Sequence, residues 1–282
     1  MTTLVLSHFQ VKPILKARQD GGSVVVTSTD LGLTTAEVKL YPDCVSFANE
    51  ESLPWNSIEE IYANETACYW VENNTLQAIR GFSELSGLYY SLMPTDSAPT
   101  MLISGLPMHR IKDTNPYLDT LSKIKAIAPV RGRVLDTATG LGYTAIEAAK
   151  TAVHVITIEI DPVAQEIAGL NPWSQALFDN PKIMQIIGDS VEEVERFESE
   201  SFSCIIHDPP TLSLAGELYS GAFYKQAFRV LKHNGRMFHY IGDPDSKIGA
   251  RLTKGVVRRL QDSGFTRVTH RPQAFGVVAY KE

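Results

Sequence analysis

No other part of the chain restricts its fold as tightly as residues 133–161, RVLDTATGLGYTAIEAAKTAVHVITIEID. Val134-Leu135 is a short apolar strand that stops at Asp136, and a turn of small residues follows, Thr137-Ala138-Thr139-Gly140-Leu141-Gly142. Thr144 to Lys150 then has helical character, with Ala145, Ile146, Ala148 and Ala149 on its apolar face. His154 to Ile158 is a second apolar strand and runs into Glu159-Ile160-Asp161. Strand, glycine turn, helix, strand and acid in this order make a mononucleotide-binding βαβ unit. Gly140 and Gly142 let the backbone approach a ligand with no Cβ in the way. Glu159 lies nineteen residues after Gly140, near the spacing at which an acid binds ribose hydroxyls.

The turn reads GLG, not GxGxxG, so it lacks the third glycine of a phosphate cradle. Asp136 at its mouth would repel a pyrophosphate but could hold an ammonium. The pattern therefore favours a ligand with an amino-acid end and a ribose, S-adenosylmethionine, over a dinucleotide. At these residues the chain resembles the class I methyltransferases. The resemblance implies that Asp136, Gly140 and Gly142 hold the methionine part and Glu159 the ribose, with Thr139, Tyr143 and Ile160 in the same cofactor-binding set. It also implies S-adenosylhomocysteine as product.

At 282 residues the chain can form one large domain or two smaller ones. Hydrophobic residues make up 44% and charged residues 21%, and no stretch approaches the roughly 20 apolar residues of a membrane span. The start, MTTLVLSHFQVKP, lacks the basic beginning and long apolar run of a signal peptide. Cys44, Cys68 and Cys204 are far apart and fit no metal spacing, and their odd number suits a reducing cytoplasm. The net charge of −6 is uneven: residues 201–282 hold 12 Lys and Arg against 6 Asp and Glu. That balance could face an anionic substrate, but a solvated basic helix at Arg251 to Arg259 explains it more simply.

Residues 1–105 are expected to form a separate β-rich domain, a small antiparallel sheet or barrel. Its strands are Val24 to Thr29, Ala36 to Tyr41, Val45 to Ala48, Ala67 to Glu72, Leu76 to Gly81 and Leu88 to Met93, with a brief helix from Leu53 to Tyr62. Asn73-Asn74 suits a tight hairpin. Exposed strand edges in this domain could pair two subunits into a homodimer. Residues 106–130 form a linker and a helix, Pro116 to Ile127. In the linker His109-Arg110 could reach a substrate carboxylate or phosphate, or remain an exposed charge.

Residues 131–282 carry the remaining elements. Pro162 to Leu170 is a helix that ends at Asn171-Pro172-Trp173-Ser174, and Ile183 to Ile187 is the third strand, followed by Gly188-Asp189-Ser190. Ligands of a doubly wound sheet sit beyond the carboxyl ends of its strands, so Asp189 is in reach of the same ligand. The methyltransferase resemblance gives Asp189 the adenine amino group, with Ser190 beside it. Asp189 can equally cap the helical run Val191 to Phe197. The fourth strand, Ser203 to Ile206, ends in His207-Asp208-Pro209-Pro210-Thr211. Two prolines after an acid fix an extended backbone and aim Asp208. In families with an Asp/Asn-Pro-Pro-aromatic motif the acid or amide takes hydrogen bonds from a substrate amine. Here Thr211 replaces the aromatic, and Tyr219, Phe223 or Tyr224 could supply a ring for the substrate. Leu218 to Leu231 is a helix, Lys232-His233-Asn234-Gly235 a turn, and Arg236 to Ile241 the fifth strand. Ile248 to Ser263 is a basic amphipathic helix, and Phe265 to Thr269 and Phe275 to Tyr280 are an antiparallel edge pair.

The stretch GELYSGAFYKQAFRVLKHNGRMFHY is similar to the corresponding part of spermidine synthases. With MHRIK, EIDP, GDS and HDPPTLSLAGELYS, the chain resembles an uncharacterised family of predicted methyltransferases often labelled spermidine-synthase-like. The resemblance implies a doubly wound, Rossmann-like, seven-stranded methyltransferase sheet beside a smaller N-terminal β-rich domain. The main expectation is methyl transfer from S-adenosylmethionine to an acceptor, such as an amine, with Asp208 binding the neutral amine and taking its proton. The acceptor is open among small molecule, protein and RNA. One alternative is a spermidine-synthase-like aminopropyltransferase using decarboxylated S-adenosylmethionine. The other is a binding protein without catalysis. His207 and His239 are candidate catalytic neighbours of Asp208, but on apolar strands they are more simply core residues.

Overall fold

The computed structural model describes residues 4–48, 50–243 and 246–282, so the first three residues of the N-terminal segment lie outside the described ones. The chain forms two compact units: Met1–Tyr117 with Val163–Gln175, and Leu118–Pro162 with Ala176–Glu282.

In the N-terminal unit the strand Leu4–Leu6 leads into a helix, His8–Gln19, that hydropathy did not reveal. Its signal is a capping box. The Ser7 hydroxyl accepts from the Phe9 amide, and the Gln10 side chain accepts from the Ser7 amide at 3.0 Å. The expected single sheet or barrel is three small antiparallel sheets. The expected strand Leu76 to Gly81 is split into Thr75–Ala78 and Arg80–Ser83, which belong to different sheets. Ile79 is the point of exchange. Its amide donates to the Cys68 carbonyl at 2.9 Å, while its carbonyl accepts from the Leu92 amide at 3.0 Å. Asn73 and Asn74 both have positive φ, 52° and 59°, as the expected hairpin turn requires. Leu6, Val11, Ile14, Val38, Val45, Leu53, Ile58 and Ile61 meet in this unit's core. Trp173 of the later segment donates from Nε1 to the Leu31 carbonyl at 3.1 Å.

The C-terminal unit holds one seven-stranded sheet. Its strands are β1 (Arg133–Asp136), β2 (His154–Glu159), β3 (Ile183–Ile187), β4 (Phe202–His207), β5 (Leu231–Tyr240), β6 (Arg267–Arg271) and β7 (Gly276–Tyr280). They lie in the order β3-β2-β1-β4-β5-β7-β6, and only β7 runs against its neighbours. The chain thus has a Rossmann-like α/β sheet and a smaller β-rich N-terminal region, as expected. The helices from residue 116 onward are α1 (Pro116–Ile127), α2 (Tyr143–Ala149), α3 (Pro162–Leu170), α4 (Gln175–Asp179), α5 (Ser190–Arg196), α6 (Gly221–Val230) and α7 (Lys247–Asp262), of which α3 from Val163 on belongs to the N-terminal unit. Leu135, Ile156, Phe202, Ile205, Phe223, Tyr224, Met237, Val256 and Leu260 close the core between sheet and helices.

Three elements differ from expectation. The helix expected from Leu218 breaks at Ser220, where the backbone is extended and the hydroxyl accepts from the Phe223 amide at 3.1 Å to start α6. A single 3-10 turn, Gly216–Tyr219, precedes it. β5 begins five residues early. Phe202 pairs with Leu231, but Cys204 pairs with Arg236, so the expected turn at 232–235 is an excursion inside the strand. The short α4 had no periodic pattern to announce it. Among the described residues no helix is long and apolar enough to cross a membrane.

The β1–α2 turn places Gly142 at φ 76°, and a Cβ there would come within 2.6 Å of Leu177 Cδ2. Gly142→Ala therefore meets both backbone strain and a packed neighbour. We expect it to cost roughly 1–3 kcal/mol in denaturant-unfolding experiments. A variant as stable as the wild type would show that the turn relaxes freely.

Candidate active site

Parallel pairing brings the ends of β1, β2 and β4 to one edge of the sheet. In register, Asp136 stands opposite Thr157 on β2 and Ile206 on β4. Glu159 and Asp208 each follow two residues later.

Asp136 is fully buried. Its Oδ2 accepts from the hydroxyls of Thr144 at 3.0 Å and Thr157 at 3.2 Å, while Oδ1 has no well-formed hydrogen bond. Burial pushes its pKa up to about 8; the Thr144 hydroxyl works against this, the charge of Asp208 adds to it, and Thr157 and the Ala138 amide favour the ionised form. The Thr157 hydroxyl also meets that of Thr139 at 2.7 Å, so Thr139 braces β1 against β2.

Glu159 closes the glycine turn. Its Oε2 accepts from the Gly140 amide at 2.8 Å, and its Oε1 from the Asp161 amide at 3.1 Å. Burial raises its pKa, and these backbone donors oppose the rise. Gly140 has φ 52°, and a Cβ there would meet open space. Both observations suit a ligand passing over the turn, with the second lone pairs of Glu159 available to hydroxyls.

Asp208 forms an ion pair that no sequence pattern disclosed. Lys123 Nζ, on α1, lies 2.6 Å from Asp208 Oδ2 and 2.8 Å from Asp119 Oδ2, with side-chain exposures of 1% for Lys123, 0% for Asp119 and 16% for Asp208. Burial by itself would lower the Lys123 pKa, but the two carboxylates outweigh it and hold the ammonium above its ordinary range. The same ammonium lies 4.6 Å from the centre of the Tyr240 ring. In the sequence, Asp119 and Lys123 read as an ordinary i,i+4 pair on a helix surface. Only the fold shows that the pair is buried and reaches residue 208.

Other expected site residues have structural partners. His207 Nε2–H donates to the Leu218 carbonyl at 2.9 Å, so Nδ1 accepts from the Thr137 hydroxyl at 2.6 Å. Burial lowers the His207 pKa to about 3, and this histidine is neutral. His239 Nε2 meets the Tyr224 hydroxyl at 2.8 Å, and both side chains are fully buried. Tyr224 is therefore a core residue and presents no surface to a substrate, which corrects its assignment. Tyr219 is also buried. Its hydroxyl donates to the Pro210 carbonyl at 3.0 Å and props the Asp-Pro-Pro turn. The Ser190 hydroxyl donates to the Thr137 carbonyl at 2.7 Å, tying α5 to the end of β1. Asp189 caps α5 through the Val191 amide at 2.8 Å. Tyr143 is buried at the start of α2, whereas Ile160 is exposed beyond β2. His109 and Arg110 belong to the N-terminal unit, where the His109 ring meets the Thr100 hydroxyl at 3.0 Å.

No family model matches the chain. It is 45% identical over 234 residues to the uncharacterized protein MJ1233 of Methanocaldococcus jannaschii, covering 82% of this chain and 80% of that one. It is 28% identical over 139 residues to the polyamine aminopropyltransferase of Clostridium kluyveri, covering 48% and 50%. The chain thus spans about half the length of that relative. A spermidine synthase crystallised with the transition state analogue AdoDATO has the same fold, with a TM-score of 0.59 at 20% identity over 74% and 76% of the chains. The sequence relative overturns the expectation of methyl transfer, since it is a polyamine aminopropyltransferase and not a methyltransferase.

Asp136 generates a pH prediction. Its folded-state pKa of about 8 lies above its ordinary 3.8. Across that window the folded protein keeps a proton that the unfolded chain has released, so Asp136 makes stability fall as pH rises from about 4 to about 8. Asp136→Asn should flatten this slope, and melting temperatures of both proteins at pH 5 and pH 8 check it. Parallel pH profiles would show that Asp136 is ionised throughout.

Proposed function

Because the chain belongs to the family of the Methanocaldococcus jannaschii protein MJ1233, and because half of it is similar to a polyamine aminopropyltransferase, we propose that it transfers an aminopropyl group. The donor would be decarboxylated S-adenosylmethionine and the acceptor an amine of the polyamine class. The observation that carries this reading is the similarity to the aminopropyltransferase, and the acids at the strand ends are compatible with its donor. Asp136 is a buried carboxyl with an oxygen lacking a well-formed hydrogen bond, which suits the ammonium end of such a donor. Lys123, the cation placed against these acids, is already neutralised by Asp119 and Asp208 and offers nothing to a donor carboxylate.

When bound, the sulfonium supplies an activated carbon–sulfur bond: the amine lone pair forms the new C–N bond while the C–S pair leaves as methylthioadenosine. The rest falls to the chain. Glu159, already locked onto the glycine turn, would accept the ribose hydroxyls. Gly140, whose Cβ position is open, would let the donor lie against the turn. Asp189, at the N-terminus of α5, would accept from the adenine amino group. Asp208, held by its ion pair and by the Pro209-Pro210 backbone, would orient the acceptor nitrogen and take its proton.

The test is turnover of decarboxylated S-adenosylmethionine with a panel of polyamines, read as methylthioadenosine released. We expect release with at least one polyamine, tighter calorimetric binding of the decarboxylated donor than of S-adenosylmethionine, and a loss of about 100-fold or more in kcat for Asp208→Asn. Absence of methylthioadenosine with every amine, together with equal or weaker binding of the decarboxylated donor, would overturn the reading.

A further inference from the structure

A buried ammonium is costly unless it is paired. Asp119, one helical turn before Lys123 and 2.8 Å away, is already such a partner. The ammonium nonetheless meets a second carboxylate at 2.6 Å, from a residue 85 positions further along the chain. The two acids differ. Asp119 is fully enclosed, whereas Asp208 keeps 16% of its side chain exposed, at the end of β4. The ammonium therefore stands between an acid that anchors it and an acid that faces the site. Asp208 also lies close enough to Asp136 for its charge to help keep a proton on that carboxyl. A carboxylate in partly buried surroundings takes up a proton unless a cation compensates. A protonated Asp208 could neither attract a cationic amine nor accept its proton.

We propose that Lys123 is a positioning residue for the reaction: anchored by Asp119, its ammonium keeps Asp208 charged and fixes the orientation of that carboxylate at the end of β4. The role of Asp208 in this inference rests on the aminopropyl-transfer reading, but the action of Lys123 on Asp208 does not. The bond from Nζ commits Oδ2, and the ring of Tyr240 beneath the same ammonium restricts where it can move.

The experiment compares wild type, Lys123→Met and Lys123→Arg. Protein labelled with ¹³C at aspartate carboxyls is titrated by NMR, with the Asp208 signal assigned through Asp208→Asn. In the wild type the Asp208 signal should stay that of the anion down to about pH 4 or below. Lys123→Met should raise its midpoint by about one pH unit or more, and Lys123→Arg should restore it. In turnover assays with decarboxylated S-adenosylmethionine, Lys123→Met should lose kcat about tenfold or more at pH 7 and recover part of it as pH rises. A merely structural lysine would give no such recovery. If Lys123→Met does not fold, Asp119→Asn/Lys123→Met removes the second buried charge and carries the same titration. An Asp208 signal that titrates alike with and without the ammonium would overturn the proposal, as would an unchanged pH–rate profile. A wild type that releases no methylthioadenosine would sink the aminopropyl reading alone, because the titration is read without turnover.

Discussion

Parallel hydrogen bonding between β1 and its two neighbours sets the level at which three acids leave the sheet. Asp136 is in register with Thr157 and Ile206, so the ends of β2 and β4 must lie at the same edge as the end of β1. The carboxyl groups gather there because the backbone ladder puts them there. Each is then stabilised by a different chemistry. Glu159 has backbone amides, Asp136 has two hydroxyls, and Asp208 has an ammonium. The three carboxyl groups are therefore held in three different ways at one edge of the sheet.

Beneath these acids lies a neutral hydrogen-bonded layer. Thr137 and Leu218 hold the His207 ring, Tyr224 reaches His239, and His207 and His239 face each other across β4 and β5 with ring centres 4.4 Å apart. Tyr219 extends the layer to the Pro210 carbonyl. Uncharged partners suit this position, since a further full charge under the acids would compete with them for hydrogen bonds. The layer links the loops after β1 and β4 to the turn before α6 by hydrogen bonds.

The sheet was legible in the sequence because its strands are short apolar runs stopped by acids or glycines. Ile183–Ile187 and Pro162–Leu170 appear with the bounds that their composition indicates. Elements set by a local hydrogen bond were harder to see. Ser220 interrupts a helical pattern with one hydroxyl, and Ile79 divides a continuous apolar run by bonding in two directions. In the site, Asp136, Glu159 and Asp208 declared themselves by standing at strand ends. Lys123 did not, because its significance depends on a partner brought near by tertiary folding. Tyr224 misled for the opposite reason: an aromatic near a site-forming motif looks the same in sequence whether it faces a ligand or the core. The family resemblance correctly indicated the fold, but the glycine turn and the acids do not distinguish methyl from aminopropyl donors, which share sulfonium, ribose and amino group.

The N-terminal unit takes its last part, Val163–Gln175, from the far side of β1 and β2 in the sequence. No single cut in the chain can therefore release that unit whole. A ribosome making this protein must also have synthesised β1 and β2 before Trp173 becomes available to bond Leu31. The β-rich unit begins first and is completed later. Its chain is interrupted by two strands of the other unit, so its segments are not contiguous in synthesis.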